Sequence, residues 1–477
     1  MAGEAAGAGS VVTSGPAAAE SYEAAHTPPS WRLAALGILA GGVLVGYAAG
    51  RRKLGVAVAG LTAGVAVGCV APIVAGSRRP PISPDAARAA LAGASRPPTF
   101  TVLVGARDEA GVLPALVGDV ARQDHRDAGG KPLFELVVVD DRSTDGSGEA
   151  VRRAARLAGI ADVTRVIRRE GDHLPDGKGA ALTAAQPTAC RGDVVLVLDA
   201  DARIEPWFLR RAAGYFAAGA RAVTARRMIM DAESGWLAGA QADEQTLDGE
   251  INRGRWAMGG CSEFRGNGIM VRRDLLAEVG GWRAEALTED IDLSSRVAAL
   301  TGERVAWAID AEVWEEPVRS SSDLLRQRLR WAEGAFRRLF DHGRPVLSSG
   351  RLAAGSRLDF VAYTGQLLVP PVALGAAAAA VGGRKRTVLA VLGAYLGVSA
   401  VLGWDSLRWT HHPDGSPLEP RERLQRSLRV ALFSAVWLFA VPGALLKLAL
   451  RGGRVEYHKM GHEGGDVRPG SSQISGR

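Results

Sequence analysis

Hydrophobic and polar positions alternate along this chain on two scales. On the coarse scale, apolar runs occupy Leu33–Gly50 and Leu54–Gly76 near the start and Phe360–Gly383, Val388–Trp404 and Val430–Leu450 near the end. A long polar stretch, about 98–345, lies between them. A helix needs about 20 apolar residues to cross a hydrocarbon layer, so each run is a candidate span. The Pro370, Pro371 pair would kink the third run or make it re-entrant. On the fine scale, the polar stretch holds short β-branched or apolar runs at Thr101–Val104, Leu136–Val139 and Val194–Leu198, separated by helix-like segments such as Gly148–Ala158. Strand alternating with helix predicts an α/β fold with a mostly parallel, Rossmann-like open sheet, whose ligands sit beyond the carboxyl ends of the strands.

This pattern divides the chain into a floppy tail over 1–30, a transmembrane hairpin over 31–76 turning at Arg51, Arg52 and Lys53, a catalytic domain over 77–345, transmembrane or interfacial helices over 346–450 and a polar tail over 451–477. The first segment is rich in Ala, Gly, Ser and Pro and buries too little to offset chain entropy. A cleaved signal would carry a leading basic region and no second run, and neither holds here. Arg421, Arg423, Arg426 and Arg429 alternate with leucines as in a helix lying at the interface. Basic residues border so many runs that strict alternation cannot place them all on one side, so at least one run does not span.

Charge sharpens the picture. The net charge of +7 comes from Lys and Arg flanking the apolar runs, which suits anionic lipid headgroups and cytoplasmic loops rather than nucleic acid. Cys69, Cys190 and Cys261 are too few and too scattered for a disulfide framework or a zinc knuckle, and read as buried thiols.

The candidate chemistry sits at the strand ends. Ala106, Arg107, Asp108 and Glu109 follow the first strand, Asp140 and Asp141 the second, and Asp199, Ala200 and Asp201 the third. Carboxylates so concentrated repel one another unless a cation lies among them, and all-oxygen ligands suit Mg2+ or Mn2+. In an extended segment Asp199 and Asp201 would face the same side. Lys178, between Gly177 and Gly179, could place a cation on a phosphate, although no Ser or Thr follows it as in a nucleotide-binding P-loop. Thr288 reads as the cap of a helix whose first turn carries Glu289 and Asp290, where a carboxylate is held rigidly enough to serve as a base. Gln327, Arg328, Leu329, Arg330 and Trp331 combine an amide, fixed cations and an aromatic face, as a sugar beside a diphosphate requires.

In this order, the Arg107–Glu109 segment, the Asp140, Asp141 pair, the Asp199, Asp201 triplet, the Thr288–Asp290 motif and the Gln327–Trp331 motif resemble the membrane-bound family 2 glycosyltransferases, which include cellulose, chitin and hyaluronan synthases and smaller bacterial relatives. The resemblance covers about residues 99–345. It implies a GT-A fold flanked by transmembrane helices, and inverting transfer from a nucleotide-sugar donor, a UDP-sugar, to a lipid, glycan or cell-envelope acceptor at the cytosolic face of the membrane. By the same resemblance Ala106, Glu109, Asp140 or Asp141, and Lys178 would hold the nucleotide. Asp199 would contact the ribose or metal and Asp201 the metal. Asp290 would be the general base, with Glu289, Gln327, Arg328, Arg330 and Trp331 around the acceptor and diphosphate. The segment Phe264–Gly268 resembles the family's acceptor-side strand.

There are departures as well. Arg142 stands where relatives usually carry Gly, which bears on base recognition, and Tyr457–Met460 is only loosely like the gating segment. The membrane runs are fewer than in large polymer synthases, so transfer of one or a few sugars competes with processive polysaccharide synthesis. A non-catalytic scaffold would have lost acids from some cluster, and a transporter would carry polar residues within its spans, where Gln366 stands nearly alone.

Overall fold

The structure is a computed structural model that describes residues 31–51, 64, 68, 70–75, 80–171, 174–185, 189–380, 385–412 and 415–451. The expected tails, and most of the run at 54–76, lie outside the described residues. At the centre is an eight-stranded sheet of order β3-β2-β1-β4-β7-β6-β8-β5. Its strands are β1 (Phe100–Ala106), β2 (Phe134–Asp141), β3 (Thr164–Arg169), β4 (Val194–Leu198), β5 (Arg203–Ile204), β6 (Ala222–Ile229), β7 (Ile269–Arg272) and β8 (Ala306–Glu315). Strands β3, β2, β1 and β4 are parallel. β7 then runs antiparallel to both β4 and β6, β8 is parallel to β6, and β5 is antiparallel to β8.

The continuous apolar runs in β1, β2 and β4 exist because both sheet faces are covered. Val102, Val104, Leu136, Val138, Leu196 and Leu198 enter one core. Their neighbours Leu103, Val137, Val139, Val195 and Val197 enter another on the opposite face. Burying each such side chain contributes about 1.5–3 kcal/mol, so the parallel half of the sheet is the rigid frame that presents its carboxyl ends.

Around the sheet run α1 (Trp31–Arg51), α2 (Trp236–Ala257), α3 (Glu289–Thr301), α4 (Ser321–Ser348), α5 (Ala354–Gly365), α6 (Val369–Ala380), α7 (Lys385–Ser406), α8 (Pro420–Ser434) and α9 (Trp437–Arg451), together with shorter helices. Among the described residues, four stretches are long and apolar enough to cross a membrane: Trp31–Ala48, Ala354–Ala379, Leu389–Ser406 and Pro420–Arg451. Some of the glycines in these runs serve helix contact. A Cβ at Gly46 would lie 2.0 Å from the Val372 carbonyl oxygen and one at Gly375 2.0 Å from that of Val43, so α1 and α6 touch backbone to backbone. The Pro370, Pro371 pair opens α6 after a single 3-10 turn, Gln366–Leu368, instead of kinking a continuous helix.

The arginine-rich segment does form a helix, α8, with Leu424, Leu428 and Leu432 exposed along one line. Its arginines do not all face outward. Arg426 and Arg429 both bind the fully buried Asp243 of α2, at 2.8 and 2.6 Å, which ties α8 to the sheet domain.

Candidate active site

The carboxyl ends of β1, β2 and β4 open into a cavity of about 1230 Å3, to whose wall β2 gives its last residue, Asp141, and β1 and β4 the loops that follow them. Ala106, Glu109, Asp141, Lys178, Asp199, Asp201, Glu289, Asp290, Gln327, Arg330 and Trp331 all line it. Asp140 and Arg328 are absent from that lining.

Alternation along β2 accounts for the different fates of its two terminal acids. The Asp140 carboxylate, 2% exposed, accepts from Arg168 at 2.7 Å and from the Ser143 N–H at 3.0 Å, fastening the loop behind the site. Asp141 faces the cavity, paired with Arg142 and Arg169, each at 2.9 Å. Arg142 reaches on to Asp176 at 2.7 Å, and Arg107 meets the same carboxylate at 2.8 Å, closing this end of the cavity. Arg142 has φ +60°, a left-handed conformation that Gly adopts without strain. Two carboxylates on its guanidinium offset that strain.

Asp199 and Asp201 lie in a turn and not in an extended segment, closed by the Ala202 N–H donating to the Asp199 carbonyl at 3.1 Å. Both nonetheless line the cavity. The Asp199 N–H donates to Oδ1 of the buried Asn267 at 3.2 Å. Lys178 Nζ lies 2.6 Å from Asp199, 3.1 Å from Glu289 and 2.8 Å from the Gly266 carbonyl, so the lysine braces two acidic motifs. Burial disfavours its charge, but the two carboxylates outweigh burial and hold its pKa above the ordinary value. Asp199 is held below the usual range for the matching reason: burial opposes ionisation and Lys178 overcomes it.

Asp290 begins α3. Burial, reinforced by the adjacent Glu289 charge, pushes its pKa up to about 6. Thr288 precedes the helix but its side chain makes no capping hydrogen bond. It packs instead against α4, where a Cβ at Gly334 would stand 2.3 Å from Thr288 Cγ2. Gly334 thus lets α4 rest directly on the residue that leads into Asp290. Replacing Gly334 by Ala is expected to separate the two helices and lower transfer about tenfold, with little change in donor affinity, as steady-state kinetics would show. Two residues beyond Asp290, Asp292 is clasped by Arg296 and His342, both at 2.8 Å, and is held below the usual carboxylate range, since these partners outweigh burial. His342 belongs to α4, so α3 and α4 are fixed at two places.

On α4, Gln327, Arg330 and Trp331 share one face, as i, i+3 and i+4 positions do, and that face lines the cavity. Arg330 has no carboxylate at ion-pair distance among the described residues. Arg328 projects elsewhere, 1% exposed, paired with Glu244 and lying 4.2 Å from the centre of the Trp331 ring. Phe264–Gly268 is a loop leading into β7, not a strand. Within it Arg265 binds Asp248 at 2.8 Å and the Tyr363 hydroxyl at 2.7 Å. The nearby Glu263 is drawn down to about 2, because Arg338 and Arg255 overcome its burial.

Sequence reasoning did not single out Glu244, Asp248 or Trp437 and took Arg265 only as part of the Phe264–Gly268 segment, yet all four line the cavity with Tyr363. Beyond them the wall turns apolar, with Leu367, Val398, Leu402, Val430 and Val441 contributed by the helices after α4. Among the described residues no group of three or more His, Cys, Asp or Glu side chains is placed to cage a metal.

Residues 97–334 match the family described as glycosyltransferase like family 2. The chain is 28% identical over 382 residues to a beta-monoglucosyldiacylglycerol synthase of Trichormus variabilis, covering 77% of each chain. It is 29% identical over 378 residues to the protein of that name from Synechocystis, covering 76% of this chain and 75% of that one. In fold it is similar to a mannosyltransferase of Pyrobaculum calidifontis solved with GDP-Man and Mn2+, at a TM-score of 0.50 and 21% identity, covering 88% of this chain and 98% of the other. Through residues 97–334, the chain belongs to the family 2 glycosyltransferases and carries their GT-A fold.

Proposed function

We propose that the protein transfers a sugar from a nucleotide-sugar donor, a UDP-sugar, to the hydroxyl of a lipid or lipid-linked acceptor in a single inverting displacement. One observation carries the reading. A single cavity joins the acids after β4, the base candidate Asp290 and the Arg330, Trp331 face of α4, and then continues between helices apolar enough to lie in a bilayer. The likeness over three quarters of the chain to two beta-monoglucosyldiacylglycerol synthases supports a lipid acceptor.

The acceptor oxygen attacks the anomeric carbon, its proton passes to the Asp290 carboxylate, and the bond to the diphosphate oxygen breaks on the opposite side. Asp290 therefore acts where the acceptor hydroxyl must lie, and its raised pKa makes it a stronger base than an ordinary carboxylate. The nucleoside diphosphate leaves with increasing negative charge, and Arg330, which has no carboxylate partner among the described residues, is the cation suited to receive it. Ala106, Glu109 and Asp141 face the nucleotide end. Lys178, engaged with Asp199 and Glu289, keeps the donor and base motifs in register.

Asp199 and Asp201 offer two carboxylates, and among the described residues no group of three or more His, Cys, Asp or Glu adds to them. That donor set fits Mg2+ or Mn2+ bound jointly with substrate phosphates, which is how Mg2+ is ordinarily held. When bound, the ion would neutralise the leaving diphosphate.

On this reading the protein is a multi-pass membrane chain whose sheet domain faces the cytosol, where nucleotide sugars are made, and the four apolar stretches support it. Membranes containing the protein, given a panel of radiolabelled nucleotide sugars, are expected to transfer label from one donor into a solvent-extractable lipid. Failure with every donor would overturn the reading, and sugar flux without nucleotide would favour a transporter.

A further inference from the structure

We infer that the C-terminal apolar helix α9 is part of the acceptor site, that Trp437 is a second acceptor-binding indole, and that the acceptor is a neutral membrane lipid bearing a free hydroxyl. The inference rests on the glycosyl-transfer reading and adds to it a residue and a chemical class.

Trp437 is the first residue of α9, lies more than one hundred positions beyond Trp331 in sequence, and lines the same cavity. The two indoles are nearly parallel, with ring centres 6.5 Å apart and planes inclined by 27°. A single carboxylate fixes both. The Trp437 Nε1–H donates to Glu244 Oε1 at 2.9 Å, while the other Glu244 oxygen pairs with Arg328. That guanidinium lies 4.2 Å from the centre of the Trp331 ring and 5.8 Å from that of Trp437. Farther along, α9 is registered on α4 by Lys447, whose ammonium is 2.9 Å from the buried Glu333. Between these points a Cβ at Gly443 would lie 2.7 Å from Leu329 Cδ2, so the helices are in close contact. The position of Trp437 relative to Trp331 is therefore held by a hydrogen bond, an ion pair and a close packing contact.

The surroundings indicate what the second indole binds. Val430, Val441, Leu367 and Leu402 continue the wall beyond it, on helices belonging to the candidate spans. A soluble sugar would leave that end against water, whereas an acyl or other apolar chain fills it. Three of the arginines lining this cavity are committed to carboxylates, Arg227 to Glu315, Arg265 to Asp248 and Arg338 to Glu263, and Arg330 is taken by the donor diphosphate. Asp248, Glu289 and Asp290 line the same space. An acceptor phosphate would meet carboxylates there with no spare cation among these three arginines, whereas a neutral alcohol incurs no such repulsion. Hydroxyls of Tyr395, Ser399 and Ser434 also line the wall; they donate to the Ser434, Tyr395 and Ala431 carbonyls, which leaves their oxygens to accept from a glycerol or sugar hydroxyl.

The full-length protein in mixed micelles provides the test, with diacylglycerol or its glucoside as lipid acceptors and a soluble oligosaccharide as the other arm. Trp437→Leu is expected to raise the acceptor KM about tenfold on the lipid while leaving the donor KM within about twofold of wild type. Trp437→Phe keeps the packing and loses the N–H to Glu244, so it is expected to raise the acceptor KM about threefold and provides the measurement if the leucine variant does not fold. Wild-type acceptor KM in either variant, or better use of the oligosaccharide than of the lipid, would overturn the inference. Donor cleavage with a normal donor KM but no transfer to either lipid would reject it alone. Absence of any nucleoside diphosphate release by the wild type would instead remove the glycosyl-transfer reading, and this inference with it.

Discussion

Asp290→Asn is expected to lower kcat for glycosyl transfer by about a thousandfold while the donor KM changes little. The size follows from the contribution of a positioned general base, about 10²–10⁴ in rate. The split between kcat and KM follows from the timing. The carboxylate takes the proton only as the acceptor oxygen bonds to carbon, so its loss is felt in the transition state and not in donor binding. The pH dependence offers a separate check. With its pKa raised to about 6, Asp290 is ionised above that value, so kcat/KM should be flat near neutrality and fall about tenfold per unit as pH drops below 6. An ordinary aspartate would hold activity down to about pH 4. Glu289 raises the Asp290 pKa by charge repulsion, secondary to burial, so Glu289→Gln should move the acid limb to lower pH without removing it. A kcat/KM profile that stays level to pH 4 would exclude Asp290 as the base.

How much of this could be read from residues alone differs from element to element. Strands β1, β2 and β4 were legible because burial on both faces demands unbroken apolar runs, and the acids that end those runs stood out against them. Helical periodicity likewise groups Gln327, Arg330 and Trp331 on one face and sets Arg328 apart, although a motif read as a block obscures that. Period-two alternation must also separate Asp140 from Asp141, yet nothing in the sequence says which of the two faces is covered by the helix Ser147–Leu157. There Asp140 sits so close that a Cβ at Gly148 would come within 2.8 Å of its carboxylate.

Other features depend on contacts that no local pattern encodes. Glu244 and Trp437 are 193 positions apart, and neither has a neighbour that marks it as special; only the tertiary packing that sets the start of α9 beside α2 brings them together. Asp243 shows the same effect. One of several acids in a long helix looks solvated, but Asp243 is buried against two arginines of α8. The Thr288 cap failed because Gly334 draws α4 onto the threonine side chain, so tertiary packing took precedence over a local preference. The triplet Asp199–Asp201 presents both acids to the cavity through a turn instead of strand alternation, so the expected convergence arose by a different geometry.

That turn leads to the second large effect. Asp201→Asn is expected to reduce kcat/KM by about a thousandfold, and chelation by EDTA to suppress the wild type to a similar level, reversibly on addition of Mn2+ or Mg2+. Two carboxylates to which, among the described residues, no group of three or more His, Cys, Asp or Glu adds should bind a divalent ion weakly by themselves and strongly only with a diphosphate present. Calorimetry separates these cases: Mn2+ alone should give little heat, Mn2+ with UDP a clear isotherm, and Asp201→Asn should lose the second. Asp199→Asn should differ in kind. Asp199 also anchors Lys178, which in turn holds Glu289 beside Asp290, so the change should weaken donor binding and disturb the acid limb of the pH profile together. If the wild type keeps full activity and full UDP binding in EDTA, the paired acids act through the lysine alone. The charge on the leaving diphosphate would then fall to Arg330, whose replacement by Gln should show the thousandfold loss instead.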